Sequence, residues 1–335
     1  MGTGKWVTMK DVADLANVGT ITVSRVLRTP EKVSEAKRHR VLKAIERLGY
    51  VPDNTAGALS SSKSRVFGAI ISTISDSVFA STLDGLSSTL RAAGYELLLT
   101  STGYDPDIEE DALRALLARR PDGIVLTSTT HSAGASRLIK SLSIPVVEIW
   151  QLPSTPLDIA VGFSNFHAGY DMAFHLIESG RKNIAFLGGG SLRDERGRRR
   201  REGYTAALSA ADMAPIMWPK DEQGTLSGIE IGAAFFEEYL NENPHIDAVM
   251  CVSDTVAVGV LCEARRRNLG VPGDLAVSGF GGFEVAMPSG FDLTTIEIPG
   301  KEIGIASAKA LLDPDAARVK KVVDLGYELV VRGTT

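Results

Sequence analysis

Between Ser191 and Leu208 the chain reads "SLRDERGRRRREGYTAAL", with Arg196, Arg198, Arg199, Arg200 and Arg201 crowded at the head of an amphipathic segment, Arg198 to Ala211. A guanidinium beside a helix N-terminus suits an anion or a polyol, because backbone N–H groups and a planar cation both donate hydrogen bonds towards it. A run of arginines is also what a solvated helix face looks like, and Arg198, Arg199 and Arg201 are read that way. Catalytic motifs are not found. Gly188, Gly189 and Gly190 follow an apolar strand run, but Arg193 stands where a dinucleotide fingerprint needs its third glycine, and "GFGGF", Gly279 to Phe283, fails likewise. The sequence holds no GxxxxGK[ST] stretch and no Ser/His/acid or metal-ligand constellation; His131 and His167, near strand ends, read as satisfied or solvated histidines. Cys251 and Cys262 lie in apolar surroundings and read as core residues. The expectation is a protein that is no enzyme and needs no cofactor.

A second set of chemistry-bearing residues opens the chain. From Met1 to Arg65 there are 12 Lys and Arg against 6 Asp and Glu, a balance of +6, while the other residues carry −11 of the total −5. A phosphate backbone attracts such a head and repels such a body. Within the head, Thr8 and Asp11 have the spacing of a capping box, which predicts a helix from Met9 to about Ala16. Gly19 then permits a turn and a second start. Val12, Ala13, Val18, Val23, Val26 and Leu27 recur at intervals that place them on facing stripes, and Ala13 is small enough for a close crossing. That is a helix-turn-helix with little core of its own. A third helix is predicted from Ser34 to Leu48, with Val41, Leu42, Ile45 and Leu48 on one side and Gly49 as its stop. Asp53 to Arg65, "DNTAGALSSSKSR", reads as a linker; Thr55 to Leu59 could form a helical turn, which Gly57 weakens.

These residues need elements to position them. From Val66 onward apolar strand runs ("VFGAIIS", "YELLLT", "GIVLT", "PVVEIW", "IAFLG", "AVMCV", "LAVSG", "TTIEI") alternate with amphipathic segments, a pattern that means parallel sheets covered on both faces by helices. About 270 residues exceed one such sheet, so two α/β lobes with a cleft between them are expected. Ligands of open α/β sheets sit beyond the carboxyl ends of strands, so residues just after "IIS", "EIW", "FLGG", "MCVSD" and "VSGFGG" should line that cleft. Phe79, Trp150 and Phe280 could wall it, Glu148 could accept from hydroxyls, and Asn165, Ser253 and Asp254 sit at strand-to-helix turns, where capping is an equally good account. No apolar run reaches the ~18 residues of a membrane helix, and Met1 to Met9 lacks a signal-peptide core, so a cytoplasmic protein is expected.

With these pieces placed, the chain resembles the lactose/galactose (LacI) repressor family of bacterial transcription regulators over essentially its whole length. The resemblance rests on "TMKDVADLANVGTITVSRVLRTPEKVSEAKRHRVLKAIERLGYVP", a short hinge ending in Leu59, "DAVMCVSDTVAVGVL", "LGVPGDLAVSGFG" and the closing "LGYELVVRG". "PVVEIWQ", "LDIAVGFSNFHAG" and "ALLARRPDGIVLTSTTH" are most similar to its gluconate-utilisation subgroup. The resemblance implies a helix-turn-helix domain at 1–52, a hinge at 53–65 and a periplasmic-binding-protein-like effector and dimerisation body at 66–335. The two lobes of that body would comprise 66–162 with 295–320, and 163–294 with 321–335. It implies a homodimer on a near-palindromic double-stranded operator, with Thr20, Ile21 and Arg25 reading bases, Thr22, Ser24, Thr8 and Lys10 serving phosphates or local packing, and Leu59 wedging the minor groove.

For the effector, Arg200, three residues before Gly203, matches the family arginine, and Arg196 is a second candidate. Gly281, Gly282 and Trp150 stand where many sugar-responsive members carry aspartate. Loss of those acids beside retained arginines fits a sugar acid such as gluconate as the small-molecule effector, releasing the repressor from DNA. The alternatives are a neutral sugar or other metabolite as effector, or a two-lobed binding protein without DNA regulation.

Overall fold

The computed structural model describes residues 6–52, 63–74, 79–188, 194–218, 228–240, 243, 245–313 and 321–335. The chain divides into two compact units, Met1–Ser64 and Arg65–Thr335.

The first unit is three helices, α1 (Met9–Ala16), α2 (Thr20–Arg28) and α3 (Glu35–Leu48), with a single 3-10 turn at Pro30–Lys32. Both halves of the capping box form: the Asp11 amide donates to the Thr8 hydroxyl, and the Thr8 amide donates to the Asp11 carboxylate at 2.7 Å. The left-handed residue of the turn is Asn17, φ 50°, whereas Gly19 is extended and serves as N-cap of α2. Asn tolerates this conformation better than other non-glycine residues, so Asn17 rather than Gly19 makes the first break. Gly49 is left-handed at the end of α3 as anticipated, φ 62°. Val12, Ala13, Ala16, Val23, Val26, Val41, Ala44 and Tyr50 form the small core. Leu27 and Leu42, placed on buried stripes by periodicity alone, are partly exposed instead; Ala44 and Tyr50 take the inward positions.

The second unit holds two six-stranded sheets. The first has the order β11 (Lys321–Asp324), β5 (Ile159–Gly162), β4 (Val146–Ile149), β3 (Ile124–Leu126), β1 (Val66–Ile71), β2 (Glu96–Ser101). The second runs β12 (Glu328–Val330), β10 (Thr294–Glu297), β9 (Ala276–Gly281), β8 (Ala248–Cys251), β6 (Ile184–Leu187), β7 (Ile216–Trp218). All pairings are parallel except β10 with β12. The four residues of β4, β5, β6 and β8 are buried throughout, as strands covered on both faces must be. Helices α4 (Ala80–Ala92), α5 (Pro106–Leu117), α6 (Ala133–Lys140) and α11 (Gly300–Leu312) accompany the first sheet, and α7 (Asn165–Glu178), α8 (Glu195–Ala210), α9 (Gly228–Phe235) and α10 (Asp254–Arg266) the second.

The strand assignments correct the expected lobe boundaries. β10 pairs with β9 in the second sheet, so the return to the first lobe begins at α11, not at 295. β11, assigned to the second lobe, lies beside β5 in the first, and the last crossing falls between Asp324 and Glu328. Three crossings therefore join the lobes. Local pattern cannot reveal this, because a four-residue strand carries no mark of which neighbour it will pair with. Cys251 is buried, but Cys262 is exposed on α10 rather than core.

Candidate functional site

In the first unit, α2 turns Val23 and Val26 inward and leaves Thr20, Ile21 and Arg25 exposed, Ile21 at 68 %. An isoleucine this open on a helix whose other face is packed has no core role, and the three outward side chains form one exposed face at the helix's N-terminal half. Thr22 and Ser24 are half-buried beside it. Lys10 is exposed, and the Thr8 hydroxyl is engaged with Asp11 at 2.6 Å. Leu59 and the hinge turn lie outside the described residues.

In the second unit the cleft is built around α8. Asp194 caps this helix by accepting from the Gly197 amide, which starts it at Glu195, three residues earlier than the hydrophobic pattern suggested. Residues four apart share a helix face, so Arg196 and Arg200 point the same way and both are buried, 7 % and 8 % exposed. The face is set by a backbone-close crossing: Gly203 of α8 lies against the Phe166 carbonyl of α7, and Gly169 of α7 against the Arg200 carbonyl. A side chain at either glycine would collide with backbone.

Arg200 donates to Asn165 Oδ1 at 2.7 Å and lays its guanidinium over the Phe280 ring at 4.0 Å. Asn165 in turn donates to the Trp150 carbonyl (2.9 Å) and to Gln151 (2.8 Å). Trp150 is held at φ 75°, a strained setting for an aromatic residue, and its indole N–H donates to Thr82 at 3.0 Å. Burial lowers the Arg200 pKa to about 10, which leaves it cationic at neutral pH. Among the described residues neither arginine has a carboxylate in ion-pairing distance, and Arg200 Nε is buried without a hydrogen-bond acceptor.

Two adjoining cavities share Tyr104 and Arg196. One, of about 110 Å³, is walled by Phe79, Trp150, Arg200, Ser253 and Phe280. The other, about 330 Å³, is polar, with Ser72, Thr127, Thr130, Gln151 and Glu195 on its walls. Arg196 ties the lobes together across them, donating to the Thr127 carbonyl at 2.7 Å and to the Ser72 hydroxyl at 3.2 Å. Glu195 does so as well, accepting from Thr129 (2.6 Å) and Thr130 (2.7 Å).

Of the residues singled out from sequence, Phe79, Trp150, Arg196, Arg200, Ser253 and Phe280 thus meet around one space. Asn165 stands behind Arg200 as its acceptor. Ser253 also caps α10. Asp254 is fully buried; it accepts from the Phe283 amide and from Thr295, and so holds the loop after β9. Glu148 is not on either cavity wall: it accepts from the Leu157 amide at 2.6 Å inside the first lobe. Burial raises the pKa of both carboxyls. Arg199 is a solvated arginine paired with Glu202, as expected, but Arg198 lines the polar cavity. Sequence reasoning missed Glu195, Thr130, Ser72 and Tyr104. Glu195 had one signal, an acid in the first turn after a capping Asp194, but its partners lie 65 and 66 residues away.

A compact helix-turn-helix with an exposed second-helix face, on one chain with a two-sheet body whose strand ends enclose a polar cavity, defines a DNA-binding regulator with a ligand-binding domain. Residues 8–53 match the bacterial regulatory proteins of the lacI family, and residues 64–323 the periplasmic binding proteins and sugar binding domain of the LacI family. The chain belongs to the LacI family of bacterial transcription regulators. It is 36 % identical to the HTH-type transcriptional regulator GntR of Escherichia coli (strain K12), over 97 % of this chain and 98 % of that one. A LacI-family regulator from Silicibacter pomeroyi superposes with a TM-score of 0.88 at 31 % identity, covering 98 % and 99 % of the two chains. The lac repressor dimer bound to operator and the anti-inducer ONPF gives 0.80 at 26 % identity, over 99 % of each chain. No described helix is long and apolar enough to cross a membrane.

Proposed function

We propose that this regulator represses carbohydrate or sugar-acid utilisation genes, binds a near-palindromic operator as a homodimer, and is released by a sugar acid of the gluconate type. The observation that carries the effector class is the buried Arg200, whose Nε has no acceptor and whose guanidinium has no carboxylate in ion-pairing distance among the described residues, with Arg196 four residues before it on the same face. A desolvated guanidinium with a spare donor is a costly feature unless an anion completes it. The similarity to GntR over nearly the full length supports the same reading.

On the DNA side, Thr20, Ile21 and Arg25 are the base readers of this proposal: Arg25 can give two hydrogen bonds to guanine, and Ile21 can pack on a thymine methyl. Signalling runs through the lobes. Arg196 reaches from the second lobe to the Thr127 carbonyl and Ser72 hydroxyl of the first, so a ligand that engages it changes the balance between open and closed forms, and only the difference in effector affinity between those forms can move DNA binding. The test is fluorescence anisotropy of a labelled duplex from upstream of the protein's own gene, at fixed salt, without and with gluconate. Tight binding weakened by gluconate supports the proposal. Binding indifferent to gluconate and to every other sugar acid would reject the effector class.

A further inference from the structure

At the polar cavity two pieces of chain from opposite lobes meet, and each is held by bonds within its own lobe. On the first-lobe side, residues 128–132 link β3 to α6. Ser128 ties this loop internally, donating to the Thr130 carbonyl at 2.6 Å and accepting from the Thr130 amide at 3.2 Å. α5 moors its far end: His131 Nδ1 lies 2.9 Å from Glu109 Oε2, both side chains buried, and Ser132 donates to Glu110 at 3.2 Å. On the second-lobe side Glu195 is the first residue of α8, which Asp194 caps. One oxygen of Glu195, Oε2, accepts from both Thr129 (2.6 Å) and Thr130 (2.7 Å). Hydroxyl-to-carboxylate bonds are among the stronger kinds, and partners already fixed in place lose little freedom in making them.

The geometry points to Glu195 as a positioning residue for the effector site: its paired bonds to Thr129 and Thr130 hold the first turn of α8 against the first lobe, and so bring Arg196 and Arg200 to their wall through contacts that belong to the protein alone. The inference rests on reading these cavities as the effector site, not on which effector fills it. The smaller cavity takes Phe79, Tyr104 and Trp150 from the first lobe and Arg196, Arg200 and Phe280 from the second, so it is complete only while the lobes are together. Apparent effector affinity then scales with the fraction of molecules in which Glu195 holds them so.

Calorimetric titration of the full-length protein with D-gluconate, and hydrogen–deuterium exchange of the protein alone, test it. Glu195→Ala should weaken gluconate about tenfold, while Glu195→Gln, which keeps an oxygen for both hydroxyls, should stay within about threefold of wild type. Thr129 lies on neither cavity wall, so Thr129→Val removes one of the two bonds without removing a ligand contact; it should weaken gluconate several-fold, and should add nothing in Glu195→Ala. In the protein alone, Glu195→Ala should speed exchange several-fold in peptides from both sides of the contact, 127–131 and 194–200, and leave the central strands of both sheets unchanged. Wild-type affinity in Glu195→Ala or Thr129→Val, equal weakening by glutamine and alanine, or additive losses in the double variant would overturn the inference. If gluconate does not bind wild type, the sugar-acid reading fails and exchange decides the rest: faster exchange on both sides in Glu195→Ala upholds the positioning role, and unchanged exchange overturns it.

Discussion

Arg200 is buried, cationic, stacked on Phe280 and held by Asn165, and its Nε has no acceptor among the described residues. Arg200→Ala should abolish the effector response while operator affinity without effector stays within a few-fold, both read by anisotropy. In the first unit, Arg25→Ala should weaken binding to the cognate operator by about 1–3 kcal/mol and relax discrimination at one base pair, measured with single-substitution duplexes. Glu148 and Asp254 behave differently, because burial favours their protonated forms. A carboxyl whose folded pKa is raised binds more protons in the folded state, so its contribution declines as pH rises from the ordinary carboxyl value through the raised one. Glu148→Gln should flatten that part of the stability-against-pH curve in urea titrations, since glutamine can still accept from the Leu157 amide. Arg200 was legible in the sequence through its match to the family arginine, three residues before Gly203, with Arg196 as a second candidate; that one helix carries both emerged only with the Asp194 cap that starts it at Glu195. Glu195 was not legible, because its importance comes from two threonines in the other lobe.

Elements are where local chemistry meets packing. The head's first helix was legible to the residue: a Thr–Asp capping box is complete within three residues of chain, and no distant partner is needed to recognise it. α8 is the opposite case. Its arginine-rich start hides its register, and its orientation depends on glycines of two helices lying against each other's backbone carbonyls. Gly203→Ala should cost about 1–3 kcal/mol by overpacking that crossing and should also weaken effector binding, because α8 carries both arginines. Thermal unfolding with and without gluconate separates the two effects.

At the scale of the whole molecule, a basic head on an acidic body makes DNA affinity strongly salt-dependent. With roughly 6–10 phosphates neutralised, affinity should fall by about 10³ or more between 50 and 200 mM salt, while effector affinity, set in a buried site, should change far less. Anisotropy and calorimetry across the same salt series check this. The amino-acid order alone settled the three head helices, the alternation of strands and helices and the charge division. Each of these depends on neighbours within a few residues, on a repeat of 3.6, or on composition. Tertiary structure decided which sheet β10 and β11 join, that Leu27 and Leu42 stay partly outside, that Asn165 serves Arg200 rather than the cavity, and that Glu195 reaches Thr129 and Thr130. Those outcomes depend on pairings between segments tens to hundreds of residues apart, where several partners satisfy the same local pattern and only packing of the complete chain selects one.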